Sequence, residues 1–229
     1  MSAARRVAAE LLGSALLAAV VIGSGIAAQR LSPGDVGLQL LENAFATALA
    51  LPVLILMFAA ASGSHFNPVV TLVDVVIGGR RWSDAAGYLP AQVFGCIGGA
   101  ILANSMFDEV AVSISTTDRL SPGTFLSEIV ATAGLILTIF LLSRTGRHAA
   151  VPWAVGAYIG AAYFFTSSTS FANPAITIGR VFSDTFAGIA PSSAPGFVVA
   201  QLIGGAVGLG LLVFFAPRAV ATAEADALN

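Results

Sequence analysis

The chain contains no lysine. All ten of its basic residues are arginine, set against twelve acids, and only 10% of its 229 residues are charged. A soluble domain carries about 25%. That shortage excludes a solvated surface of ordinary extent. A net charge of −2 implies no strongly acidic or basic partner, so no nucleic acid is expected. Cysteine is nearly absent. Cys96 stands alone, which excludes an intrachain disulfide, and its place between Phe94 and Gly98 marks it as a packing residue. The two histidines, His65 and His148, fall on different loops and form neither a metal cluster nor a catalytic triad. No metal, no cofactor and no enzymatic activity are expected. What the chain has in quantity is apolar: 57% of it is hydrophobic, with a mean hydropathy of +0.90. It reads as an all-α integral membrane protein.

Apolar stretches run over residues 7–28, 38–61, 87–103, 125–142, 151–165 and 197–216. Each is near the roughly 20 residues that a helix needs to cross the hydrocarbon core. The first follows Arg5-Arg6 as a signal peptide would, but it is too long and contains Glu10. Pro52 predicts a local kink in the second. Two further apolar pieces, 67–78 and 173–182, are too short to span and read as half-helices that enter the membrane and stop. The arginines set the orientation. With the N-terminus cytoplasmic, Arg5, Arg6, Arg80, Arg81, Arg144, Arg147 and Arg218 lie inside, against Arg30, Arg119 and Arg180 outside. Both termini are therefore expected in the cytoplasm, with a tail at 218–229 and an extracellular segment at 104–122. The setting implied is a cell membrane, plasma or inner, crossed several times.

The two short pieces begin alike. One is Ser62-Gly63-Ser64-His65-Phe66-Asn67-Pro68-Val69-Val70-Thr71, the other Ser170-Phe171-Ala172-Asn173-Pro174-Ala175-Ile176-Thr177. Asn caps a helix, and Pro suits the first helical position because its missing N–H is not needed there. A helix that starts inside a membrane leaves N–H groups unpaired, which is tolerable only in protein or beside a wet cavity. Other landmarks repeat as well. Glu10 matches Glu128, and Ala91-Gln92 matches Ala200-Gln201. Each half, 5–103 and 123–217, holds three full spans. An odd number forces the second half in upside down, giving an inverted repeat with its site near the midplane. Gly95, Gly98 and Gly99, with Gly204, Gly205, Gly208 and Gly210, suit close helix packing.

These landmarks cover nearly the whole chain, and on them it resembles the major intrinsic protein family, the aquaporins and glycerol facilitators. The first motif departs from the family's only at Val69, where alanine is usual. The resemblance implies one channel domain per chain and a homotetramer with a pore in each subunit. It also implies passive conduction of water or small neutral solutes. The pore centre would be Asn67, Pro68, Val69, Asn173, Pro174 and Ala175. Carbonyls of Gly63, Ser64, His65, Thr169, Ser170 and Phe171 would form an acceptor track. Each half-helix N-terminus carries about +0.5 charge, which opposes cations.

Glu10 and Glu128 are either a proton or ion-coupling site or acceptors for loop N–H groups, and their matched positions favour the second. His65 is either a pH gate or a loop support, the second again favoured. The family's outer arginine, three residues after the second Asn, is replaced by Ile176. Family spacing puts Thr47, Ala161 and Ser170 beside it. None of these is bulky, so a wide outer filter is expected, suited to polyols or undissociated metalloid acids. Arg180, one turn further on, can reach back to the pore mouth or pair with Asp184. The competing classes are an ion-coupled secondary transporter and a non-conducting structural protein.

Overall fold

The computed structural model describes residues 1–216; the tail expected at 218–229, Arg218 included, lies outside the described residues. Eight α-helices form among them: α1 (Ala3–Leu31), α2 (Val36–Ser62), α3 (Pro68–Val76), α4 (Trp82–Met106), α5 (Pro122–Arg144), α6 (Val151–Phe165), α7 (Pro174–Arg180) and α8 (Ala194–Phe215). Five of the six spans are long and apolar enough to cross a bilayer by themselves. The sixth, α6, has 15 residues. At 1.5 Å per residue it covers about 22 Å of a core about 30 Å thick. A turn of 3-10 helix over His148–Ala150 leads into it.

The halves pack in parallel ways. α4 lies along α1, α8 along α5, and α2 faces α6 across the molecule. Glycine permits the first two contacts. A Cβ on Gly95 or Gly99 would stand 2.4 and 2.1 Å from the carbonyl oxygens of Leu11 and Ala15 on α1. One on Gly204 or Gly208 would stand 2.5 and 2.8 Å from those of Ile129 and Ala133 on α5. Gly98 and Gly210 do not share this role: a Cβ there meets open space, because both sit on outward faces. Pro52 is carried inside an unbroken α2. The ring removes one N–H, which frees the carbonyl of Ala48. Gly156 of α6 packs against that carbonyl and against the ring.

Outward faces carry Leu11, Leu12, Phe45, Leu49, Phe94 and Phe214, all exposed. In water such a surface would drive aggregation; in lipid it is the solvent-facing side. At one end, Arg6 pairs with Asp84 at 2.6 Å and ties the starts of α1 and α4. At the other, the segment 107–121 folds back over the end of α7. Ser113 and Ser115 donate backbone bonds to Phe182 and Val181, and Thr116 donates to Asp184. There Asp118 accepts from the Ser193 hydroxyl and the Leu120 N–H, which hold its carboxyl below the usual carboxylate range.

Candidate pore

The short helices start where their sequences say. Asn67 and Asn173 are in extended conformation, and each side-chain oxygen accepts from the N–H two residues on, at 2.9 Å in both cases. Each then uses its amide nitrogen across the repeat. Asn67 Nδ2 donates to the Ala172 carbonyl at 2.7 Å, and Asn173 Nδ2 donates to the Phe66 carbonyl at 2.8 Å. The two N-termini are thereby held together at the centre. One N–H of each amide is spent in this way, and the second has no protein partner among the described residues.

The loops before the caps run through the left-handed region at matched places. Gly63, Ser64 and Phe66 have φ of 91°, 54° and 48°; Thr169, Ser170 and Ala172 have 61°, 52° and 48°. Five of these six carry side chains, and each such residue stores roughly 1 kcal/mol of strain or more. A buried carboxylate holds each loop in place. Glu10 accepts from Ser62 Oγ at 2.6 Å, His65 N at 3.0 Å, Phe66 N at 2.8 Å and Gln92 Nε2 at 2.7 Å. Glu128 accepts from Ser168 Oγ at 2.6 Å, Phe171 N at 2.9 Å, Ala172 N at 2.8 Å and Gln201 Nε2 at 2.6 Å. Both glutamates are fully buried. With two bonds on each oxygen, neither has spare capacity for a relay proton. The loop carbonyls are different. Those of Gly63, Ser64, His65, Thr169, Ser170 and Phe171 accept no protein hydrogen bond among the described residues.

These groups face a line of three cavities. The middle one, of ≈ 80 Å³, touches both Asn67 and Asn173 and is walled on its other side by Leu51, Ile55, Ile139 and Ile159. It shares Ser64 and His65 with a cavity of ≈ 290 Å³ at the end bearing Asp74 and His148. It shares Arg180 with one of ≈ 160 Å³ at the end bearing Arg119 and Thr169. His65 is tied on both nitrogens, with Nδ1 3.0 Å from Thr71 Oγ1 and Nε2 3.3 Å from Asp74 Oδ2.

At the outer constriction the structure corrects the sequence count. Ala161 is exposed and touches no cavity. Two residues further along, or about 200° around the helix, the buried Tyr163 occupies that place, its hydroxyl 3.2 Å from Thr47 Oγ1. The expected absence of a bulky aromatic therefore does not hold. Thr47, Ser170 and Ile176 do line the middle cavity. Arg180 joins them. It is 3% exposed, its Nε donates to the Ala187 carbonyl, and its guanidinium carbon lies 3.4 Å from the Phe171 ring centroid. Asp184 bonds to Thr116 instead, and among the described residues it forms no ion pair with Arg180.

Besides Tyr163, two residues carry roles that sequence reasoning missed. Gly205 is the reason Val69 fits: a Cβ there would stand 2.4 Å from Val69 Cγ1. Arg119, on the long segment 107–121, donates to the carbonyls of Gly188 and Phe186 and reaches the cavity it shares with Arg180. Only the folded segment brings it there.

A membrane-spanning bundle whose inverted halves meet at two asparagine-capped half-helices beside three cavities that share lining residues defines a transmembrane channel. The family model for the major intrinsic protein matches residues 1–172, and the chain belongs to that family. It is 48% identical over 208 residues to "Aquaglyceroporin AqpS" of Rhizobium meliloti (strain 1021), spanning 91% of this chain and 88% of that one. "Probable aquaporin NIP7-1" of Arabidopsis thaliana is 33% identical over 68% of this chain and 56% of its own length. The fold is that of a solved aquaglyceroporin from Plasmodium falciparum, with a TM-score of 0.73 at 20% identity, covering 92% of this chain and 96% of that one.

Proposed function

We propose that the chain is a passive channel for water and small neutral solutes of about the size of glycerol, undissociated metalloid acids included, and that it excludes protons and cations. The observation that carries this is the crossed pair of asparagine amides at the cavity centre. Each has one N–H left to donate, and each sits at the positive end of a half-helix. A passing hydroxyl or water turns its oxygen toward both donors. The unpaired loop carbonyls accept hydrogen bonds from it on either side, and the wall of Leu51, Ile55, Ile139 and Ile159 offers none. A water held this way cannot pass a proton along the file. A cation meets two helix N-termini and Arg180 in a low-dielectric surround.

The relative named an aquaglyceroporin supports the solute class. The single-domain reading, the homotetramer, the cytoplasmic termini and the plasma or inner membrane go with the same proposal. The test is stopped-flow light scattering of the purified protein in liposomes, comparing water, glycerol, urea and arsenite. Saturation-free flux of water and glycerol, insensitive to ion gradients, is expected. Asn173→Asp should abolish it or admit cations. Flux that requires an ion gradient, or an Asn173→Asp variant that conducts like wild type, overturns the reading.

A further inference from the structure

Two guanidinium groups, those of Arg119 and Arg180, line the same cavity at the outer mouth. Among the described residues, neither Arg119 nor Arg180 has a carboxylate oxygen within 4.0 Å. Arg180 is 3% exposed, and only its Nε is bonded, so both terminal nitrogens are left for the cavity. Arg119 bonds through Nε and one terminal nitrogen and leaves the other free. Both guanidinium groups lie over the same ring: their carbons are 3.4 Å and 5.7 Å from the Phe171 centroid, Arg180 nearer. Both line the outer cavity of ≈ 160 Å³. Glu128, the carboxylate that acts on Arg180 through space, is already ringed by its own four donors. Burial pulls the Arg119 guanidinium below its ordinary value, as it must for a cation with no counter-ion beside it.

The opposite mouth makes the imbalance plain. Across the repeat, Phe171 stands where His65 stands and Arg180 where Asp74 stands, each 106 positions on (171 − 65 and 180 − 74). At that inner mouth Asp74 lies 3.3 Å from His65 and 3.9 Å from Arg80, so the arginine there has a carboxylate beside it. At the outer mouth the same positions give two cations and an aromatic face. Buried charge without a partner is costly.

We propose that the outer mouth is a binding site for one small oxyanion, phosphate-like or carboxylate, held in a fork between the free nitrogens of Arg119 and Arg180. Guanidinium groups match such anions through paired, charge-assisted bonds. The site opens into the pore, which admits a free anion and leaves no room for a two-chained lipid. Because Arg180 also lines the middle cavity, a bound anion obstructs it. External oxyanion therefore slows neutral-solute entry.

The obstruction rests on the channel reading; the binding does not. The first measurement is calorimetric titration of inorganic phosphate into the detergent-solubilised full chain. One saturable site per chain is expected. Arg119→Gln and Arg180→Gln should each weaken it by on the order of tenfold, while Arg30→Gln, in the exposed pair with Glu109, leaves it unchanged. If Arg180→Gln does not fold, Arg119→Gln carries the result. The second measurement is glycerol entry into liposomes, which external phosphate should slow in wild type and not in Arg119→Gln. No saturable binding, or binding that neither arginine variant weakens, overturns the proposal. Binding without glycerol or water flux supports the site and overturns the channel.

Discussion

At the scale of the residue, the two buried glutamates hold the pore in shape. Removing one leaves a hydroxyl, two backbone N–H groups and one N–H of a glutamine amide without an acceptor, the amide keeping its bond to Thr71 or Thr177. Each such orphan costs about 1–3 kcal/mol. Glu128→Ala is therefore expected to lower stability by at least about 3 kcal/mol, read as a fall in detergent unfolding temperature together with lost glycerol flux. Wild-type stability would mean that the loop keeps its left-handed turns unaided. Val69 and Gly205 make a second case. Gly205→Ala forces a methyl into Val69 and is expected to destabilise by about 1–3 kcal/mol. Val69→Ala should restore most of that loss, and a double-mutant cycle measures the coupling. Additive effects would show that the two side chains do not meet.

The same residues show what a sequence discloses. Glu10, Gln92 and Asn67 were legible with their counterparts because each is a polar group where lipid forbids one, and each recurs in the same order in the second half. Tyr163 was not. A two-residue slip in counting back over the polar run 166–170 turns a helix by about 200° and puts Ala161 in its place. Arg119 had no periodicity to betray it, since its position depends on how a long segment folds over α7. Gly205 read as one more packing glycine, and only the folded chain shows which side chain it admits.

At the scale of the element, α3 and α7 are too short to stand alone, with nine and seven residues. Isolated helices under about 12 residues are marginal even in water. Their asparagine caps, and the glutamines that bond Thr71 and Thr177, supply what length does not. The long helices depend instead on close approach, and two adjacent glycines test that. Gly99→Leu drives a side chain into the Ala15 carbonyl and should prevent α1 and α4 from packing, seen as aggregation or loss of the folded peak in size exclusion. Gly98→Ala, facing open space, should leave that peak and the unfolding temperature unchanged or slightly raised, since alanine favours a helix by up to about 1 kcal/mol. If both variants behave alike, the helix contact is not set by glycine.

At the scale of the whole molecule, the inverted repeat puts two different mouths on one symmetric frame. Which one faces the cytoplasm can be read chemically, because Cys96 is buried and its thiol is out of reach of reagents. A cysteine at Val112 is expected to react with a membrane-impermeant thiol reagent on intact cells. One at Trp82 should react only after lysis. The reverse pattern would turn the molecule over and put the arginine-bearing mouth inside.

The crossed asparagine bonds also have a consequence in time. Asn67 meets its acceptor in Ala172, which lies 105 residues later in the chain. At about 5–20 residues per second, the ribosome takes roughly 5–20 s to make that stretch. Through that interval the first half-helix has its cap but not its counterpart, and bare lipid is a poor host for its N-terminus. The nascent first half must wait in a wet or sheltered place, and the centre of the molecule closes only once Ala172 has been made.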